Sequence, residues 1–264
     1  MKNNLYYNIE TDNDQLLKII DDKIKKSRPI SVIRKSDGEN VVLGYLNIKG
    51  IKTIKYFKKM RHFNINFLNF SFQKILRKEL LESFYEADFV GVPIQEYYHG
   101  YTSSVRKFEM SITHYFNFDV RKYVDNHFQL EFVKNPENNK LKNKYAQKLI
   151  SNKKIGLISH FKLDDFLADH NSTVVAQTKI PKRDLRDKKN KMNIEKYLKV
   201  KEYIKKNNHK VDVWFLAAGV YAKPFANYIK KCKGAAIDLG SVVDTWNNEY
   251  HSRKFLRDNN WDNK

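Results

Sequence analysis

The chain has 264 residues, 41% of them hydrophobic and 14% aromatic, so it can bury a substantial core and is not disordered throughout. No run approaches the roughly 18 consecutive apolar residues that cross a membrane. The single cysteine, Cys232, allows neither an internal disulfide nor a cysteine-based metal site. Residues 1–15 lack the apolar centre of a secretory signal, so a reducing cytoplasm is the expected location.

The charge is strongly basic, because 50 lysines and arginines against 30 aspartates and glutamates give a formal net charge of +20. Such a charge attracts nucleic acid, anionic lipid headgroups or phosphorylated substrates. The lysines are nevertheless scattered along the chain, as on an ordinary solvated surface. The composition therefore permits a polyanionic partner and does not identify one.

The first predicted elements lead into a glycine turn. Helical spacing of apolar residues predicts an amphipathic helix over residues 14–26. The β-branched run over residues 30–34 predicts a strand. It leads directly into residues 35–40, where Gly38 lies at the centre of a predicted turn. Residues 41–43 then begin either a helix or a second short strand.

The middle of the chain alternates between predicted helices and strands. In chain order we expect a helix over 67–85, a strand over 87–93, a loop over 99–102, a helix over 108–123, a strand over 155–159, a helix over 162–168, a strand over 172–177, a loop over 180–192 and a helix over 193–206. Tyr98 and His99, at the start of the first loop, either contact a substrate or belong to an ordinary surface loop.

The last third of the chain predicts a βαβ unit. It contains a strand over residues 211–216, a small-residue turn over 217–219, a helix over 223–231 and a strand over 235–239. Short apolar strands that alternate with amphipathic helices are typical of the α/β class. We therefore predict an open, mainly parallel Rossmann-like sheet with helices on both faces.

Ligands of such sheets bind beyond the carboxyl ends of the strands, which directs attention to the loop after the first strand. Asp37 and Glu39 flank Gly38 there, with Arg34 just before them. Two carboxylates on one tight turn suit Mg²⁺ or Mn²⁺, and such a cation would neutralise a departing diphosphate. Taken alone, an Asp-Gly pair is more often only a turn.

The turn at Gly219 is a second candidate. A helix that opens on small residues presents free N–H groups and a positive dipole end, both of which suit phosphate. Lys223, in the predicted helix's first turn, would add a charged contact. The complete G-x-G-x-x-G fingerprint is absent, so a dinucleotide cofactor is not supported. Close packing of helix and strand explains the small residues equally well.

Four segments together resemble the GT-D type glycosyltransferases, a family that includes transferases extending glycans on streptococcal serine-rich adhesins. Residues 31–39, SVIRKSDGE, are similar to the family's S-[VIL]-x-R-[FY]-G-D-G-E, and residues 88–93, DFVGVP, to D-x-I-G-I-P. Residues 213–226 resemble its strand and L-G-P-x-A-K-x-L-A turn. Residues 236–244, AIDLGSVVD, resemble A-I-D-I-G-H-x-D. The segments follow the family's order.

The resemblance implies roles for particular residues. Asp37 and Glu39 correspond to the family's D-x-E element, which implies catalysis and binding of Mn²⁺ or Mg²⁺. It implies donor contacts at Arg34, Ser36, Gly38, Gly219 and Lys223. Lys35 and Ser36 depart from the aromatic-glycine pair of the pattern, and Ser241 replaces its usual histidine. Asp244 is then the candidate for the general base or an acceptor contact.

The resemblance therefore implies a metal-dependent glycosyltransferase with a nucleotide-sugar donor, a UDP-sugar, and a glycan, glycoprotein or lipid-linked acceptor. One domain, residues 1–264, would comprise an N-terminal helix (1–28), a variable acceptor-side region (94–210) and the βαβ unit (211–244). The net charge suggests peripheral contact at the inner face of the membrane, and nucleic acid is not the expected partner. The alternatives are another Rossmann-like enzyme, such as a methyltransferase, and a non-catalytic basic protein that binds nucleic acid or a membrane surface.

Overall fold

The structure is a computed structural model. It describes residues 7, 9–44, 69–92, 103–135, 140–141, 143–163, 165–181 and 191–249, without the side chains of Asp37, Asp165 and residues 103–106. The predicted loop over 99–102, Tyr98 and most of the loop over 180–192 lie outside these ranges.

The described α-helices include all the predicted ones. They are α1 (Asn13–Lys25), α2 (Asp37–Gly44), α3 (Phe70–Glu86), α4 (Ser103–Tyr115), α5 (Lys144–Ile150), α6 (Asp165–Ala168), α7 (Ile194–Asn207) and α8 (Ala222–Lys231). Short 3-10 helices cover Val120–Lys122, Asn126–Phe132, Asn208–Lys210, Gly219–Tyr221 and Gly240–Asn247. None of these described helices is both long enough and apolar enough to cross a membrane.

The strands form one seven-stranded sheet in the order β3-β2-β1-β7-β6-β4-β5. They are β1 (Ile30–Arg34), β2 (Phe89–Val92), β3 (Tyr123–Asp125), β4 (Lys154–Ser159), β5 (Thr173–Lys179), β6 (Val213–Leu216) and β7 (Ala235–Asp238). Every neighbouring pair of strands is parallel. The predicted α/β fold class, with a parallel sheet covered on both faces, is therefore confirmed.

The sheet is buried on both faces, as its apolar runs require. Successive side chains of β1 point to opposite faces, so Val32 and Ile33 belong to two different cores. One core includes apolar residues of α2, α3, α7 and α8, and the other those of α1, α5 and α6. This three-layer arrangement buries β1 on both faces, beside the central strand β7.

Two predictions along the chain are corrected. The predicted turn over residues 35–40 is largely the start of α2, which continues through residues 41–43 as a helix. The helix predicted over 108–123 ends at Tyr115, because Asn117 has a left-handed φ of 50°. The chain then enters β3, a strand too short for a sequence pattern to reveal.

The order of strands positions the site. From β1 the chain moves outward to β2 and β3, whereas β7 returns from the opposite side and pairs with β1. The carboxyl ends of β1 and β7 therefore lie side by side at the point where the strand order reverses. Ligands of open parallel sheets bind at this point. Arg34 ends β1 and Asp238 ends β7.

Candidate active site at the carboxyl ends of β1 and β7

The D-x-E element lies on the first turn of α2, which Ser36 precedes as the N-cap residue. The Oε2 of Glu39 accepts a hydrogen bond from the Ser36 backbone N–H at 3.0 Å and another from the Ser36 hydroxyl. A carboxylate three residues after the cap that binds the cap's N–H is one half of a capping box. Glu39 therefore folds back over the start of its own helix.

Glu39 has a second partner on another helix. The Nζ of Lys223, in the first turn of α8, lies 2.6 Å from Oε1 of Glu39, and the two side chains are 2% and 3% exposed. Burial raises the pKa of Glu39, but the charge of Lys223 and hydrogen bonds from Lys223 and Ser36 outweigh it and lower the pKa overall. Glu39 is thus an ionised carboxylate inside the protein.

Lys223 also faces Asp238, whose Oδ2 lies 2.9 Å from Nζ and whose side chain is completely buried. On the other side of Asp238, Oδ1 lies 3.5 Å from Nη2 of Arg34. Among the described residues, none donates a well-aligned hydrogen bond to either Asp238 oxygen, so both contacts are ion pairs. Arg34 also donates through Nη1 to Oε1 of Gln129, in the 3-10 helix after β3.

We call Arg34, Glu39, Lys223 and Asp238 the ion-pair group. Two positive and two negative side chains balance, which is the condition under which buried charges are tolerated. The group joins the carboxyl ends of β1 and β7 to the first turns of α2 and α8. These four segments at the carboxyl edge of the sheet are therefore held together by charge.

Two glycines shape the same edge, and both have a φ of +55°. A Cβ atom on Gly240 would lie 1.8 Å from Nη2 of Arg34, so the guanidinium packs directly on this glycine. A Cβ atom on Gly219 would have no neighbour within 4 Å. Glycine is thus favoured at 240 both by the left-handed φ and by the close approach of Arg34. At 219 it is favoured by the left-handed φ alone.

The departure at Lys35 has a structural explanation. Its Nζ lies 2.9 Å from Oε1 of Glu109 on α4, and both side chains are completely buried. A buried lysine needs such a partner, since an unpaired charge would be very costly inside the protein. The pair attaches α4 to the chain immediately before α2.

Most of the predicted site residues come together. Arg34, Ser36, Glu39 and Lys223 belong to one contact network, and Lys223 donates a hydrogen bond to the Gly219 carbonyl at 3.1 Å. Further predicted residues lie in the same turn of α2: Asp37, whose side chain is outside the described atoms, and Gly38.

Asp244 is buried in the 3-10 helix Gly240–Asn247, which begins at the glycine that packs on Arg34. The catalytic and donor-binding roles implied for these residues stay predictions.

The described side chains do not by themselves fit a divalent metal ion. A hard cation needs oxygen atoms that are free to coordinate it. Glu39 directs Oε1 to Lys223 and Oε2 to Ser36. Among the side chains described, no three His, Cys, Asp or Glu residues form a metal-binding cluster.

Two residues of the site were not predicted from the sequence. Asp238 lies at the end of the predicted strand over 235–239, and an acid at the end of an apolar strand signals a buried charge that needs a partner. Gln129 offers no such signal, because its contact with Arg34 joins residues 95 positions apart. The sequence does not reveal that β3 places Gln129 two strands away from β1.

The fold and the site define a class: an α/β protein with an open parallel sheet and a buried group of ion pairs at the reversal of strand order. Residues 11–246 match the family described as GT-D fold-like domain. Since this match covers most of the chain, the protein belongs to the GT-D-like family. The predicted resemblance is confirmed.

Solved structures agree on the fold. The chain is similar to a glycosyltransferase with domain of unknown function 1792 from Streptococcus sanguinis, with a TM-score of 0.54, 14% identity and coverage of 88% of this chain and 82% of that one. A second structure, of a domain 1792 said to have a distinct glycosyltransferase fold, has a TM-score of 0.52, 18% identity and coverage of 88% and 79%. No curated protein matches the chain.

Proposed function

We propose that the protein transfers a sugar from a nucleotide-diphosphate donor, a UDP-sugar, to a glycan, glycoprotein or lipid-linked acceptor. The observation that carries this proposal is the ion-pair group beside the first turn of α2, at the reversal of strand order in a GT-D-like chain. The ion-pair group lies where open parallel sheets bind their ligands.

The first turn of α2 suits the donor's diphosphate. Its N–H groups at Asp37 and Gly38 have no carbonyl partner within the helix, and they lie at the positive end of the helix dipole. Arg34, whose side chain is 15% exposed, adds a guanidinium charge from β1. Donors that already point at a leaving group lower the barrier as its negative charge develops. We therefore place the diphosphate between α2 and Arg34.

The acceptor side of the site is the proposed place for proton transfer. Asp244 follows β7 by six residues, and a carboxylate there would take the proton from the acceptor hydroxyl. The open space above Gly219 gives room for a ligand beside α8. Gly219 and Lys223 would then line the boundary between donor and acceptor.

Metal dependence is a separate part of the proposal. A divalent cation would stabilise the departing diphosphate as a Lewis acid. Asp37 is the side chain that we propose as its direct ligand. Glu39, the other ligand implied by the resemblance, would join only after giving up its ion pair with Lys223.

The proposed activity is tested by measuring UDP release from a panel of UDP-sugars, with Mn²⁺ and with EDTA. We expect release from at least one donor and a loss of tenfold or more in Arg34→Ala, because its guanidinium contacts the diphosphate. Arg121→Ala is the matched control, since Arg121 is 82% exposed and pairs with Asp119 away from the ion-pair group. Absence of release from every donor would contradict the proposed reaction, and undiminished release with EDTA would contradict metal dependence alone.

A lipid-linked acceptor would bring the protein to a membrane surface. The net charge of +20 supports attraction to anionic headgroups, which is screened by salt. We expect the protein to pellet with anionic liposomes at low ionic strength and to be released at high ionic strength. Failure to pellet at low ionic strength would count against a membrane-bound acceptor.

A further inference from the structure

We propose that Lys223 is the built-in counter-ion of Glu39, held in place by Asp238, so that Glu39 fixes the first turn of α2 and does not itself bind a metal ion. This inference rests on the proposed function, because the metal ion and the donor that it concerns are the ones proposed there. It assigns Asp238 and Lys223 as positioning residues, which act on the donor through Glu39 and Arg34.

The first argument is that a metal ion and Lys223 compete for one place. A divalent cation bound to a carboxylate lies about 2.0–2.6 Å from the oxygen. The Nζ of Lys223 already lies 2.6 Å from Oε1 of Glu39. With Oε2 occupied by Ser36 and the side chain only 3% exposed, Glu39 offers a metal ion no other approach.

The second argument is that Lys223 is fixed on every side. Its ammonium donates a hydrogen bond to the Gly219 carbonyl and forms ion pairs with Glu39 and Asp238. The remainder of the first turn of α8 packs into the core through Ala222, Phe225 and Ala226. A lysine on such an apolar face is stable only with its charge paired.

The third argument concerns Asp238, which links the two cations. Its carboxylate is completely buried between Lys223 and Arg34. Because no described residue donates a well-aligned hydrogen bond to either oxygen, the positive charges of Lys223 and Arg34 are what compensates its burial. Asp238 therefore sets the position of Arg34 on one side and, through Lys223, that of Glu39 on the other.

The decisive experiment is a Mn²⁺ titration of the full chain, with and without UDP, read from the electron paramagnetic resonance signal of free Mn²⁺. We expect Glu39→Gln to change Mn²⁺ affinity less than twofold. Lys223→Met should raise the affinity at least tenfold, because Glu39 and Asp238 lose their shared cation and become a two-carboxylate site. Lys201→Met is the control. It removes the α7 lysine that pairs with Glu79 on α3, and it should not change Mn²⁺ affinity.

A tenfold or greater loss of Mn²⁺ affinity in Glu39→Gln with UDP affinity unchanged would overturn the inference, since the first turn of α2 would be intact and Glu39 would then be a ligand. If the wild type binds no Mn²⁺, the metal part of the proposed function fails, and the inference depends on whether Lys223→Met gains a site. Where Lys223→Met does not fold, the triple variant Glu39→Gln, Asp238→Asn and Lys223→Met removes Lys223 together with both of its carboxylate partners. Recovery of folding in the triple variant supports the pairing, and no recovery contradicts it.

The positioning role of Asp238 has its own readout. Asp238→Asn removes the charge between Arg34 and Lys223, so we expect UDP affinity, measured by calorimetry, to fall about tenfold. Asp212→Asn is the matched control, because Asp212 accepts a hydrogen bond from the Lys154 N–H at the amino end of β4, the opposite end of the sheet. Unchanged UDP affinity in folded Asp238→Asn would refute the positioning role.

Discussion

At the scale of single residues, the site is an arrangement of charges that are stable only together. Each member of the ion-pair group faces a partner of opposite sign, and three of the four side chains are almost completely buried. Removing one partner would leave an uncompensated buried charge, which typically costs about 3–5 kcal/mol. The least buried member, Arg34, depends on its support by Gly240 and Gln129.

The contact of Gly240 with Arg34 can be measured separately from the cost of its left-handed φ. Gly240→Ala and Gly219→Ala place alanine at the same φ of +55°, which costs about 1–2 kcal/mol in each case. Only the alanine at 240 would also displace the Arg34 guanidinium. We therefore expect the free energy of unfolding, measured by urea denaturation, to fall further in Gly240→Ala than in Gly219→Ala. Equal losses would show that Arg34 does not depend on this glycine.

At the scale of elements, α2 connects the sheet to the ligand. Its capping residues, Ser36 and Glu39, also take part in the site, so the start of the helix and the geometry of the site are set by the same contacts. The helix is short, and helices of this length have little stability of their own. Contacts with α3 and α4 and the ion pair with Lys223 hold it on the sheet.

This coupling predicts different effects for two caps. Asn193→Ala removes the side-chain oxygen that accepts from the Lys196 N–H at the start of α7, at a cost of about 1 kcal/mol. Ser36→Ala removes the hydroxyl that donates to Oε2 of Glu39 at the start of α2, a loss of about the same size. We expect similar losses in the free energy of unfolding for both variants. Only Ser36→Ala should also weaken UDP binding in calorimetry, because it releases Glu39. Equal UDP affinity in the two variants would show that the Ser36 contact with Glu39 does not affect UDP binding.

The contact between α7 and α3 predicts a pH dependence. Burial and the neighbouring Glu79, to which its hydroxyl donates, raise the pKa of Tyr197 well above its usual value of 10.0. Above that pH the unfolded chain loses the tyrosine proton and the folded chain keeps it. The free energy of unfolding therefore falls as pH rises, by about 1.4 kcal/mol per pH unit for this residue.

Tyr197→Phe removes this ionisation and leaves other contributions, such as that of buried Tyr221, in place. We therefore expect the free energy of unfolding of Tyr197→Phe to fall less steeply than that of the wild type above pH 10, with the two measured by denaturant titration in the same buffers. Parallel slopes in that range would indicate that Tyr197 ionises normally in the folded protein.

At the scale of the whole molecule, the sequence predicts the layers better than it predicts the contacts between them. The runs that form β1 and β7 are β-branched or small and end in charged residues, so both strands and the carboxyl edge could be predicted. The start of α2 at Asp37 was not predicted, because the Asp-Gly pair favours a turn.

What the sequence could not reveal depends on distance along the chain. Lys223 could be assigned to the first turn of a helix, but its burial against Glu39 joins residues from opposite ends of the chain. The three residues of β3 have no clear periodicity, and the strand is held by pairing with β2 and by burial of Tyr123 and Val124. Tertiary packing decides such elements, and local propensity does not.

The most direct test of the account is calorimetric titration of UDP into the wild type and into Arg34→Ala, with S-adenosylmethionine as the competing ligand class. We predict saturable UDP binding to the wild type, affinity at least tenfold weaker in Arg34→Ala, and no binding of S-adenosylmethionine. Binding of S-adenosylmethionine in place of UDP, or UDP affinity unchanged in Arg34→Ala, would contradict a nucleotide-sugar site at the carboxyl ends of β1 and β7.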